Sequence, residues 1–198
     1  FLYYLTGVVG GFDAFEKFLN AYFTHFAKKC VEADEFKAFF LNYFQDRVPK
    51  EKLDEIDWDE WFYGVGDLPV KNNFDRTLAN PVEKLAQEWK NASENKTDTS
   101  SWRPSQFCYL LDILQEKKEW TKEELKSMDE LYKFTPSQNS EIRFRWQMLC
   151  IGANFDEIFP QAEQFLSETG RMKFVRPIIR ALLQSKNGRP VAHRIKED

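Results

Sequence analysis

The stretch Thr121-Lys122-Glu123-Glu124-Leu125-Lys126-Ser127-Met128-Asp129-Glu130-Leu131-Tyr132 decides the fold class. Thr121 followed three residues later by Glu124 has the form of a capping box, in which each side chain accepts from the other's backbone N–H. Leu125, Met128, Leu131 and Tyr132 then recur every three or four residues, which places them on one face of a helix. The same grammar extends in both directions. Upstream, Pro104 suits a first helical turn and leads into Phe107, Leu110, Leu111 and Leu114. Downstream, Asn139 or Ser140 precedes Ile142, Phe144, Trp146, Leu149 and Cys150. Phe155, Ile158, Phe159, Ala162, Phe165 and Leu166 follow, and Gly170 stops that helix. The last apolar run holds Phe174, Ile178, Ile179, Leu182 and Leu183.

These helix starts fall near residues 104, 121, 138, 155 and 171. A pitch of about 17 residues per helix, or roughly 34 per hairpin, is that of two-helix repeat proteins, although no repeat consensus is present. The expected fold is all-α, two layers of antiparallel helices stacked by nearest-neighbour packing. Sustained alternation of the kind that marks strands is absent.

Before residue 104 the pattern is also helical. Phe1, Leu2, Leu5, Val8 and Val9 form one apolar stripe. Phe12, Phe15, Phe18, Leu19, Tyr22, Phe23 and Phe26 form a second. Asp34 is the expected cap of a helix carrying Phe36, Phe39, Phe40, Tyr43 and Phe44, closed by Pro49. Asp57 is the expected cap of a short one with Trp58, Trp61 and Phe62. Core packing is the expectation for all these rings. From Gly64 to Asn73 turn formers replace periodicity, as in a linker running over a surface. Pro81 opens a helix with Val82, Leu85 and Trp89, and the polar stretch from Asn91 to Ser101 reads as a loop.

Composition bounds the function. The 198 residues are 42% hydrophobic and 16% aromatic, with 19 Phe and 6 Trp, which supplies a core and argues against disorder. Net charge is −4, which argues against nucleic-acid binding. From Arg171 onward, however, eight basic residues face only Glu197 and Asp198. That tail is either a solvated helix face or an anion-binding surface, RNA included. Cys30, Cys108 and Cys150 are odd in number and form no C-x-x-C pair, so they are expected to be reduced, buried thiols of a cytoplasmic protein. Sequons at Asn91 and Asn95 would matter only after secretion. The opening apolar run lacks the basic flank of a signal peptide, and no run is long enough to span a bilayer.

Chemistry-bearing motifs are missing: there is no H-E-x-x-H, no Gly-rich phosphate loop and no G-x-S-x-G. His25 and His193 are the only histidines, and His25 is expected to be a partly buried structural residue. Glu123 and Glu124 favour a helix start. The suggestive stretch is Gly170-Arg171-Met172-Lys173-Phe174-Val175-Arg176-Pro177. Pro177 disfavours the α conformation at Arg176, so residues 171–176 are either extended or the start of a kinked helix. If extended, Arg171 and Lys173 point the same way and form a carboxylate clamp, with Arg able to bind bidentately. Solvated surface charge is the alternative.

That stretch, together with Asn139-Ser140-Glu141-Ile142-Arg143-Phe144-Arg145-Trp146 and Leu149-Cys150, resembles the C-terminal domain of the leukotriene A4 hydrolase family of zinc aminopeptidases. Phe1 to Gly11, Asp57-Trp58 with Trp61, and Pro69-Val70-Lys71 with Asn73, Asp75, Thr77 and Leu78 resemble the same family in the same order. The resemblance runs from residue 1 to about 183 and lapses from Gln184 onward. It implies that residues 1–62 are the last helices of a thermolysin-like catalytic domain, 63–78 a linker, and 79–198 the C-terminal helical domain. That domain would be an α-α superhelix of HEAT- or armadillo-like hairpins. It further implies an enzyme that removes N-terminal residues from peptides, with lipid epoxide hydrolysis in some members. Arg171 would anchor the substrate carboxylate and Lys173 would support it. Zinc is implied for the intact enzyme but for no residue of this chain. The catalytic groups would lie upstream of Phe1, the partner would be the remainder of the same enzyme, and the chain alone would be inactive. It would also end before the family's usual end. The alternative is a non-catalytic helical scaffold that binds a protein partner.

Overall fold

The computed structural model describes residues 1–90, 97–116 and 119–197; the sequons at Asn91 and Asn95 begin outside the described residues, as does the first part of the expected 91–101 loop. The chain divides into two compact units, residues 1–74 and 75–198. Among the described residues every regular element is helical.

The first unit holds α1 (Leu2–Val8), α2 (Phe12–His25), α3 (Ala33–Phe44), α4 (Lys50–Asp54) and α5 (Trp58–Tyr63). Its core is aromatic. Phe18 is fully buried, with the rings of Phe36, Phe40, Tyr43 and Phe44 at 5.9, 5.2, 5.5 and 5.4 Å. Edge and tilted ring pairs at such distances add to simple area burial. The turn from α1 to α2 uses Gly10 and Gly11 at φ 93° and 120°, a region that side chains make costly. Asp57 caps α5 as expected, accepting from the Glu60 N–H at 3.0 Å.

Four details depart from the sequence reading. Helix α3 starts at Ala33 with Glu32, not Asp34, as its N-cap; the Glu32 N–H donates to Glu35 at 2.9 Å. Pro49 is followed at once by α4, a helix too short to show periodicity. Phe12 and Phe23 are each 66% exposed. On a helical wheel both lie about 60–80° to the same side of Phe15, at the edge of the stripe. His25 is exposed, its ring 4.6 Å from Phe26 and 5.0 Å from Phe39.

The second unit holds α6 (Asn80–Lys90), α7 (Pro104–Leu114), α8 (Lys122–Tyr132), α9 (Ser140–Gly152), a single 3-10 turn (Asp156–Ile158), α10 (Phe159–Glu168), α11 (Met172–Gln184) and α12 (Arg189–Glu197). Its helices from α7 on start at 104, 122, 140, 159, 172 and 189, which keeps the pitch. Helices pack on their sequence neighbours, as α6 on α7 and α11 on α12, and also on the next but one: α7 lies beside α9, α9 beside α11, and α10 beside α12. That is the neighbour pattern of two stacked layers.

Helix α9 is the centre. Ile142, Trp146, Gln147, Leu149, Cys150 and Ile151 are all buried, so apolar contact surrounds it on most sides. Trp146 is 1% exposed and its indole N–H donates to Thr135 Oγ1 at 2.9 Å. Phe174, Ile178 and Leu182 dock α11 against this core. Their i, i+4, i+8 spacing overrides the local objection raised by Pro177. Residues 172–176 are therefore helical and not extended, and Pro177 sits inside α11. It brings no N–H to the Lys173 carbonyl. The cysteines also differ from expectation: only Cys150 is buried, Cys108 is half-buried and Cys30 is exposed.

Candidate functional site

The chemistry of the second unit gathers where the N-terminal turns of α9 and α11 meet. Asn139 caps α9, its Oδ1 accepting from the backbone N–H of Glu141 at 3.0 Å and of Ile142 at 3.3 Å. Glu141 therefore sits in a first turn, where the helix dipole favours a negative charge. One turn later Arg145 donates from NH1 to Glu141 Oε2 at 2.7 Å and to the Glu141 carbonyl at 3.1 Å. Its Nε donates to Asp112 Oδ1 of α7 at 2.7 Å.

From the other side comes α11. Arg171 is its N-cap and Lys173 lies in its first turn. Lys173 Nζ is 2.5 Å from Glu141 Oε1, and Arg171 NH1 is 3.9 Å from the same oxygen. The two cations singled out in the sequence do converge, but through helical geometry and onto a carboxylate of the chain itself. A continuous charge path Asp112–Arg145–Glu141–Lys173 thus ties α7, α9 and α11, with Arg171 at its open end.

Exposure separates the members. The Arg171 side chain is 63% accessible and that of Lys173 46%, against 20% for Arg145. Both cations lie 5.3 Å from the Phe174 ring, which steadies them from below. Lys173 first, and then Arg145, hold the Glu141 carboxyl below its usual pKa. Burial works against the Arg145 charge, but its hydrogen bonds to Glu141 and Asp112 more than offset that and raise its pKa. Three cations and two carboxylates leave one positive charge in excess, most of it on the accessible Arg171.

Arg143, from the same motif, has a different part. It lies over the Phe165 ring at 4.7 Å and bonds Glu168 at 2.8 Å, joining α9 to α10. Ile142, Trp146, Leu149 and Cys150 of that motif are core. The sequence reading missed Glu141, Arg145 and Asp112 as members of the site. The Glu141–Arg145 pair was available as an i, i+4 ion pair; Asp112 comes from another helix and leaves no local signal.

Among the described residues no group of three or more His, Cys, Asp or Glu is arranged to hold a metal ion. The described residues thus offer zinc no ligand set. No helix is long and apolar enough to cross a membrane, among the described residues.

The second unit is thus an all-helical domain, its helices stacked in two layers, with a cluster of cations and carboxylates where α7, α9 and α11 meet. Residues 102–197 match the family model of the leukotriene A4 hydrolase C-terminal domain. The match runs through α12, so the lapse expected from Gln184 does not occur. The chain is 38% identical over 194 residues to leukotriene A-4 hydrolase of Xenopus laevis, covering 95% of this chain and 32% of that protein. It is 35% identical over 189 residues to leucine aminopeptidase 2 of Coccidioides immitis, covering 92% and 30%. The native leukotriene A4 hydrolase structure from Saccharomyces cerevisiae superposes with a TM-score of 0.86 at 26% identity, over 99% of this chain and 34% of that one. The yeast enzyme in complex with bestatin gives 0.83 at the same identity, over 99% and 35%. The chain spans about a third of the length of the relatives it matches.

Proposed function

We propose that this chain is the C-terminal part of a cytoplasmic zinc metalloaminopeptidase, in which Arg171 anchors the C-terminal carboxylate of a short peptide substrate and Lys173 supports it. The observation that carries this reading is the state of Arg171: exposed, 3.9 Å from its nearest carboxylate oxygen, and so with its donors uncommitted. A guanidinium in that state presents a planar fork that matches a carboxylate with two parallel N–H···O bonds. Anchoring the far end of a tripeptide fixes how far its first peptide bond reaches into a cleft, which is how a binding group sets the geometry of a distant reaction.

Residues 1–62 are assigned in this reading to the end of the catalytic domain, 63–78 to a linker and 79–198 to the C-terminal domain. The partners are the remainder of the same enzyme and the peptide. Zinc, held by the remainder, would activate the attacking water; Arg171 and Lys173 supply binding and orientation only. A lipid epoxide carrying a carboxylate would meet the same anchor, so epoxide hydrolysis belongs to the same proposal. The test is Arg171→Ala in the full-length enzyme. Loss of a charge-assisted contact costs about 1.5–3 kcal/mol, so kcat/KM for a tripeptide should fall roughly ten- to a hundredfold. An unchanged kcat/KM refutes the anchor.

A further inference from the structure

Of the cluster's cations, Arg145 is the least accessible and the most completely bonded. Its Nε donates to Asp112 Oδ1 on α7, and its NH1 donates to both the side chain and the backbone carbonyl of Glu141. One planar group thus fixes the Glu141 carboxylate relative to α7. Glu141 receives the Lys173 ammonium on its other oxygen, Oε1. An ammonium has three N–H donors, so this bond directs Lys173 and still leaves donors for a substrate carboxylate. A free lysine stem samples many rotamers, and ordering it opposes binding unless it is ordered beforehand.

We propose that Arg145 is a positioning residue of the substrate anchor: by tying Glu141 to Asp112 of α7, it holds the carboxylate that aims Lys173 at the bound peptide. The inference rests on the reading of Arg171 and Lys173 as the anchor and deepens it. Arg145 does not touch substrate. It acts at one remove, keeping Glu141 in place before the peptide arrives, so that Lys173 supports the incoming carboxylate without first losing its freedom. A guanidinium suits that task because its fork bonds two carboxylates in fixed directions. Helix α9 also carries a built-in comparison. Arg143 joins helices as well, but its partners, Glu168 at 2.8 Å and the Phe165 ring, both lie on α10.

The test uses the full-length enzyme and the ratio of kcat/KM for a free-acid tripeptide to that for its C-terminal amide. Arg145→Lys keeps the charge but offers one nitrogen to two carboxylates. It should lower the ratio by about threefold to tenfold, less than Arg171→Ala, because the anchor itself stays. Asp112→Ala gives a test of sign. It removes a negative charge, so if charge alone mattered the free acid would gain; if Arg145 needs Asp112 to hold its direction, the ratio falls by a similar factor. Asp112 is half-exposed, which makes its loss the milder of the two for folding. Turnover of the amide reports that each variant is folded. Arg143→Lys, the same change on the same helix, should shift the ratio by less than about twofold. A ratio that rises or stays constant in Asp112→Ala, or stays constant in Arg145→Lys, overturns the proposal. So does an equal fall in Arg143→Lys, which would make these arginines helix ties and nothing more. If Arg171→Ala leaves the ratio intact, the anchor reading has failed; if Arg171→Ala collapses it while Arg145→Lys and Asp112→Ala do not, only the positioning role has.

Discussion

Trp146→Phe should destabilise the second unit by about 2–3 kcal/mol, and the reason can be worked from its surroundings. Trp146 is 1% exposed, its ring is 5.3 Å from Phe134, and its indole N–H donates to Thr135 Oγ1 at 2.9 Å. Phenylalanine keeps one ring but cannot donate, and a lost hydrogen bond of this kind is worth about 0.5–1.5 kcal/mol net. The part of the indole removed also leaves a void in a core that relaxes only partially, for roughly another 1–2 kcal/mol. Thr135 is itself fixed, since its backbone N–H donates to Asp129 Oδ1 at 2.7 Å, so it cannot swing to a new partner cheaply. Urea unfolding followed by circular dichroism reads the effect as a lower midpoint at constant slope. Thr135→Val supplies the second arm of a double-mutant cycle, with a coupling of about 1 kcal/mol expected between the two positions. A loss below about 0.5 kcal/mol for Trp146→Phe, or no coupling, would show that α9 is not held as described. Helix α9 carries Glu141 and Arg145 on its first turns, so the same variant in the full-length enzyme should raise KM for a free-acid peptide more than for its amide.

Other consequences can be measured on the same material. Asn139→Ala removes the acceptor for two N–H groups at the start of α9 and should cost about 1 kcal/mol, read as a lower melting temperature; no change would mean water caps the helix equally well. Glu141 has a folded pKa below its ordinary value of 4.5, so its ion pairs contribute fully above that value and are lost as pH falls through the depressed one. The stability difference between the native chain and Glu141→Gln should therefore be constant from neutrality down to about pH 5 and shrink below pH 4.5. A difference that grew on acidification would reverse the sign of the linkage.

Much of the second unit was legible because its signals are local. The Thr121–Glu124 capping box, Pro104 at a helix start and Asn139 as a cap each depend on residues within one turn, and each is where the pattern put it. The open or misplaced details lie where a local rule met a tertiary demand. Pro177 does restrict Arg176, but burial of Phe174, Ile178 and Leu182 outweighs that and keeps the segment helical. Asp34 is a better cap by residue type than Glu32, yet Glu35 reaches back to the Glu32 N–H and sets the start two residues earlier. Of the two arrangements that Pro177 left open, extended or helical, the helical one holds, so Arg171 and Lys173 do not meet by strand-like alternation. Helix geometry with Glu141 as a shared counter-ion is the actual cause. That counter-ion comes from 32 residues away, and no spacing rule in the sequence connects the two turns.

The central claim is that Arg171 binds a substrate carboxylate. Its most direct test is the ratio of kcat/KM for a free-acid tripeptide to that for its C-terminal amide, in the full-length enzyme with and without Arg171→Ala. A strong preference for the free acid that collapses toward unity in the variant is the predicted result, because the amide never used the anchor. A preference that survives the substitution would contradict the claim and place carboxylate recognition elsewhere.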